Sequence, residues 1–210
     1  MKKTSLWAGV LVLLFALPQG YAANQGKVTF SGKVLAARLC NITTETAGKT
    51  VNLGRVRSHQ FTGEGTTVGG TDFTLSVRNC GETPNTNHAN RLKYYFVSPY
   101  ATVQIVNGNF ANIQYYLKNT LDSGNKNSVG IQIFAKEGSE AGKVINIIKS
   151  STLPTDTTVG NKYTGTQLGA KAKGDTFEIT LTAKFYALTA GSADKAGKVA
   201  SEMTFEVFYE

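Results

Sequence analysis

The chain has 210 residues, 41% of them apolar and 17% charged, and its formal charge of +8 is a modest excess for this length. The lysines and arginines are scattered, with no basic helix and no aromatic-basic cluster, which excludes the usual nucleic-acid binders. No stretch after the N-terminal region approaches the roughly 20 consecutive apolar residues of a spanning helix, which excludes an integral membrane protein held by helices.

Residues 1–22 read as a secretory signal: Lys2 and Lys3 precede the apolar run 6–17, and Gly20 and Ala22 supply small residues before the cut. Cleavage after Ala22 is preferred, because a cut after Ala23 puts Tyr21 where a small residue belongs. Loss of Lys2 and Lys3 takes the charge from +8 to +6 on about 188 residues. The product is expected in the periplasm or beyond.

The mature chain then opens on a strand-like run over 27–39, in which Val28, Phe30, Gly32 and Val34 share one face. Further runs follow at 50–56, 72–78, 92–97, 102–106, 113–117, 129–135, 144–148, 176–186 and 200–209. They are rich in Val, Ile, Thr, Phe and Tyr and are separated by Gly, Asn, Ser and Asp clusters. Residues 85–90 and 122–128 read as polar turns. The Thr-, Gly- and Lys-rich stretch 150–174 reads as a surface excursion tied down by Tyr163 and Leu168. No segment has a helical period, and 22 glycines with four prolines suit an antiparallel sandwich in one domain.

The last run alternates Phe205, Val207 and Tyr209 and passes straight into Glu210. A sheet ending this way has an open edge, where unpaired N–H and C=O groups lie beside apolar side chains and form a template for another strand. The N-terminal run is a candidate to cover it. It does so either within the chain, closing an ordinary sandwich, or on another molecule.

Cys40 and Cys80 are the two cysteines, and in an oxidising compartment they are expected to form one disulfide. On the chain-entropy view such a loop stabilises by about 4 kcal/mol. His59 and His88 sit in polar, turn-like surroundings, read as exposed loops, and with the cysteines they lack zinc-site spacing. No metal and no cofactor is expected. Catalysis finds no support either: there is no G-x-S-x-G, no HExxH and no phosphate loop, and the fourteen acidic residues are dispersed. Asn41-Ile42-Thr43 matches a glycosylation triplet by chance. Tyr94, Tyr95, Tyr100, Tyr115 and Tyr116 are read as cross-strand packing in preference to a sugar platform.

Several segments in order carry a family resemblance. They are Gln25-Gly-Lys-Val-Thr-Phe-Ser-Gly-Lys-Val-Leu followed by Cys40-Asn41-Ile42, then Val51-Asn52-Leu53-Gly54, Ser76-Val77-Arg78-Asn79-Cys80, Val129-Gly130-Ile131-Gln132-Ile133, and the terminal strand with Tyr209. The chain resembles the pilin subunits of chaperone-usher fimbriae of Gram-negative bacteria. The resemblance implies an all-β, incomplete immunoglobulin-like sandwich lacking its last strand, with a pilin domain over 35–210 and a donor-strand extension over 23–34. It implies that Val28, Phe30, Gly32 and Val34 complete a neighbour's sandwich, Val28 and Phe30 filling apolar pockets and Gly32 allowing close backbone approach. It further implies that Phe205, Val207, Tyr209 and Glu210 form the groove edge that a periplasmic chaperone recognises, with an outer-membrane usher, other copies and neighbouring fimbrial subunits as partners. The extension before Val28 is shorter than in many shaft subunits and the region 92–174 is longer, which suggests surface loops with contact or antigenic roles. The competing reading is a monomeric secreted lectin-like β-sandwich.

Overall fold

A computed structural model describes residues 38–80, 84–108, 112–121, 128–148, 162–190 and 197–210. Over these residues the strands form two sheets with antiparallel ladders. The larger runs in the order β2 (Asn41–Ile42), β3 (Thr67–Arg78), β10 (Thr176–Ala187), β7 (Val129–Ala135), β6 (Ile113–Leu117) and β5 (Ala101–Ile105), with β9 (Lys171–Lys173) beside β10. The smaller runs β1 (Arg38–Leu39), β11 (Thr204–Tyr209), β4 (Leu92–Val97) and β8 (Lys162–Thr164). Helical turns are confined to short 3-10 segments among the described residues.

Alternation decides which face of each strand is buried. Phe73, Leu75 and Val77 of β3, Phe177, Ile179 and Leu181 of β10, and Ile131 and Ile133 of β7 point into the sandwich. Leu92, Tyr94, Phe96, Val207 and Tyr209 meet them from the smaller sheet. Burying such a side chain stabilises by roughly 1.5–3 kcal/mol, an upper figure because the unfolded chain already buries part of its surface. The smaller sheet lines its inner face with rings: Phe96 lies 6.5 Å from Tyr94, 6.1 Å from Tyr163 and 6.4 Å from Phe205.

The long β3–β10 ladder bends at one place. Thr71 pairs Ala183 and Val68 pairs Phe185, so Gly69 and Gly70 together oppose the single residue Lys184. Gly69 has φ +70°, a left-handed conformation that suits a bulge and that side chains with a Cβ resist.

Several runs read from the sequence coincide with strands: 92–97, 113–117 and 129–135 match outright, and 72–78, 102–106 and 176–186 lie within a few residues of those observed. Four readings are corrected. Residues 50–56 form no strand, because the Gly54 N–H donates to the Asn52 side-chain oxygen at 2.9 Å and Gly54 turns with φ +72°. Residues 144–148 form no strand either: the segment crosses between the sheets, touching β7 at Val144 and the end of β4 at Ser98 through isolated bridges. The last strand starts at Thr204 and not at 200, since Ala200 exchanges hydrogen bonds with Asn119 and Thr120. Finally, the excursion 150–174 contains β8 and β9, with Tyr163 and Leu168 buried as anchors. His59 is exposed, whereas His88 is half-buried in a 3-10 turn over Thr86–Arg91.

Candidate functional site

The first described strands place the site. β1 and β2 are separated by Cys40 alone yet belong to different sheets, so the chain crosses the sandwich there. The Cys40–Cys80 disulfide, with Cα atoms 4.4 Å apart, ties the crossing to the end of β3. The β1/β11 edge of the smaller sheet and the β2/β3 edge of the larger one therefore lie on one side of the molecule.

Among the described residues, that side of β11 is covered only in part. Its other edge pairs β4 throughout, from Thr204↔Val97 to Tyr209↔Leu92. Toward the crossing, Tyr209 and Phe208 pair Arg38 and Leu39, and the Cys40 N–H donates to the Val207 carbonyl at 3.2 Å. Among the described residues, Thr204, Phe205 and Glu206 have no strand partner on this side. The side chains follow the same gradient: Val207 and Tyr209 are 2% and 4% exposed, while Phe205 and Met203 are only half-buried against the core. Val51 and Leu53, held beside β3 where the Thr71 hydroxyl donates to the Asn52 carbonyl at 3.2 Å, are half-buried too. Over the described residues, the result is a sandwich with half-buried apolar side chains along one partly paired strand.

The end of β11 is held from β4's side. The Glu210 N–H donates to the Arg91 carbonyl at 2.9 Å, the Arg91 Nε–H donates back to the Glu210 oxygen at 2.7 Å, and the guanidinium lies 4.5 Å from the Tyr209 ring centroid. Sequence reasoning missed Arg91, which closes a polar turn and carries no local signal of its partner. Of the predicted site residues, Phe205, Val207, Tyr209 and Glu210 fall together on this strand and its end. Val28, Phe30, Gly32 and Val34 lie outside the described residues.

The chemistry on offer is strand pairing and apolar burial. Among the described residues no group of three or more His, Cys, Asp or Glu side chains is arranged to hold a metal. Burial pushes the Tyr94 phenol up, and no hydrogen-bond partner reaches its oxygen, which marks it as a core ring and not an acid or base. Tyr95 packs edge-on against Phe208, and Tyr116 lies 5.5 Å from Tyr186, so these tyrosines serve packing.

The fimbrial protein family model matches residues 28–210. The chain belongs to that family. It is 30% identical to a major fimbrial subunit of Haemophilus influenzae, over 100% of both chains, and 28% identical to the minor fimbrial subunit HifD of the same organism, over 95% of this chain and 80% of that one. Among solved structures it is similar to the P pilus rod subunit PapA, with 16% identity, 89% of this chain and 100% of that one covered, and a TM-score of 0.48. This fimbrial chain is thus a structural subunit of a surface appendage, assembles with other subunits, and is not an enzyme. Its described strands form two sheets with antiparallel ladders, the all-β architecture expected from the sequence.

Proposed function

We propose that this subunit polymerises by donating residues 23–34 to the partly unpaired edge of β11 on a neighbouring subunit. The observation that carries the reading is that, among the described residues, Thr204, Phe205 and Glu206 have no strand partner on this side, where Met203 and Phe205 are only half-buried. Val28, Phe30 and Val34 alternate as a donated strand requires, and each buried side chain is worth roughly 1.5–3 kcal/mol, with backbone hydrogen bonds added. Residues 1–22 act as the export signal and 35–210 as the pilin domain.

Before assembly a periplasmic chaperone lends its own strand to the same edge and captures the Glu210 end, and an outer-membrane usher supports the exchange for the next subunit's extension. Capture at Glu210 competes with Arg91, which already holds that oxygen. The order of steps gives the test. Gly32→Trp is expected to be recovered as a chaperone complex that fails to polymerise, because the bulky ring obstructs insertion into a neighbour while leaving this subunit's own edge intact. Tyr209→Ala is expected to be lost earlier, before a chaperone complex accumulates. If both variants merely destabilise a soluble, monodisperse monomer to the same extent, the N-terminal strand closes its own sandwich and the polymer reading is abandoned.

A further inference from the structure

The β5–β6 hairpin stands apart from the rest of the larger sheet. Its strands pair from Ala101↔Leu117 to Ile105↔Ile113, so Ala101, Val103, Ile105, Ile113, Tyr115 and Leu117 share one face. Leu117 enters the core and Ala101 packs against it, but Val103 and Ile113 are each 43% exposed, and neither they nor Ile105 and Tyr115 join a core cluster. The opposite face is occupied: the Gln104 amide donates to Glu64 and to the Leu188 carbonyl, and Tyr116 lies over Gly130 and Tyr186. Among the described residues β5 pairs with β6 alone, so its outer backbone edge is open as well.

Soluble proteins usually protect such an edge with a lysine, a proline or an inward charge. This one has none of these on the strand. From Tyr94 to Leu117 the sequence has no Asp, Glu, Lys, Arg or His, although Lys93 and Lys118 bracket the stretch. Without Lys2 and Lys3 the chain still carries +6, so two copies repel each other, and they approach at least Coulombic cost through a surface free of charge. An uncharged, β-branched face with an open edge on a basic, fibre-forming subunit is suited to another copy of that subunit.

We propose that the Val103, Ile105, Ile113 and Tyr115 face of the hairpin is a second contact between copies of this chain in the assembled fibre, additional to the donated strand. The inference rests on the polymer reading above. In a head-to-tail fibre the contact is heterologous, so this face meets a different surface of a neighbouring copy.

Accessibility before and after assembly tests it. Val103→Cys adds one free thiol to a chain whose two native cysteines are paired. Maleimide labelling of that thiol is measured on the chaperone-bound subunit and on purified fibres. The rate is expected to fall at least about tenfold on assembly, as for a site closed by a contact worth roughly 1.4 kcal/mol. Equal, fast labelling in both forms overturns the proposal, and slow labelling in both overturns it too, because the chain then covers the face by itself. If Val103→Cys does not fold, hydroxyl-radical footprinting of the peptide carrying Tyr115 in the unsubstituted subunit and fibre supplies the same comparison. Fibres that survive Gly32→Trp sink the strand-donation reading. Fibres that require Gly32 yet leave position 103 freely labelled sink this inference alone.

Discussion

β10 and the β5–β6 hairpin belong to one sheet but are held by different means. β10 pairs β3 from Thr176↔Arg78 to Tyr186↔Thr67, and its other edge is shared by β9 and then β7. The hairpin joins β7 through the single pair Leu117↔Ile131. Beyond it the strands separate, and the Gln132 side chain, 1% exposed, fills the opening by donating to the Tyr115 carbonyl at 3.1 Å and to the Gln114 side chain at 3.3 Å. Gly130 allows the approach: a Cβ there would lie 2.6 Å from the Tyr116 ring and 2.8 Å from the Leu117 carbonyl oxygen. The centre is thus held by long ladders on both edges, and the outer hairpin by one strand pair and a few side chains. Elements with few such ties are the ones expected to open first.

Perturbing each region separately sharpens this contrast. The largest loss is expected from the double replacement Cys40→Ser with Cys80→Ser, which releases the crossing strand at the end of β3. About 4 kcal/mol is at stake on the chain-entropy view, read as a drop in urea midpoint, and an unchanged midpoint would mean that the ladder needs no staple. Next comes Leu181→Ala at the centre of β10, where full burial predicts about 2–5 kcal/mol. Val103→Ala in the hairpin is expected to change stability by less than about 0.5 kcal/mol, and similar costs at both positions would erase the distinction.

Gln132→Leu tests the tie between them. It leaves the Tyr115 carbonyl without its donor, so a cost of about 1–3 kcal/mol is expected, with faster hydrogen exchange of hairpin amides and little change in β10. Uniform acceleration in both elements would place Gln132 in the core network.

The smallest effect concerns Asp72, on the outer face of β3. The Lys136 ammonium at 2.8 Å, and then the Thr182 hydroxyl at 2.6 Å, hold its carboxyl below the ordinary 3.8. A depressed carboxyl contributes stability above its unfolded pKa and loses it as pH falls through the folded value. Asp72→Asn should therefore flatten the acid limb of the stability profile below about pH 4 and leave neutral pH almost untouched, since both side chains are about half exposed. A large loss at neutral pH would show that the pair matters more than its exposure allows.

Legibility varied with how much each segment depends on distant partners. The runs 92–97 and 129–135 could be read directly because inward and outward residues alternate or the strand is buried on both faces, and either pattern is local. The disulfide was legible from cysteine count and export. Residues 50–56 misled because their apolar spacing is strand-like while Asn52 and Gly54 turn the backbone. The polar run 162–173 hid β8 and β9, whose pairing is supplied by β4 and β10 and not by their own composition.

The sequence by itself determined an exported, disulfide-bonded all-β chain with an alternating final strand and no catalytic constellation, since these follow from residue type, order and period. Tertiary structure decided what those features become. It fixed the change of sheet at Cys40, which lets β1 cover β11 only over its last residues, and the joining of Arg91 to Glu210 across 119 positions of sequence. It also left Val103 and Ile113 on one hairpin face exposed. Exposure depends on which neighbours arrive, and a strand's own side chains do not specify whether a second sheet reaches far enough to cover them.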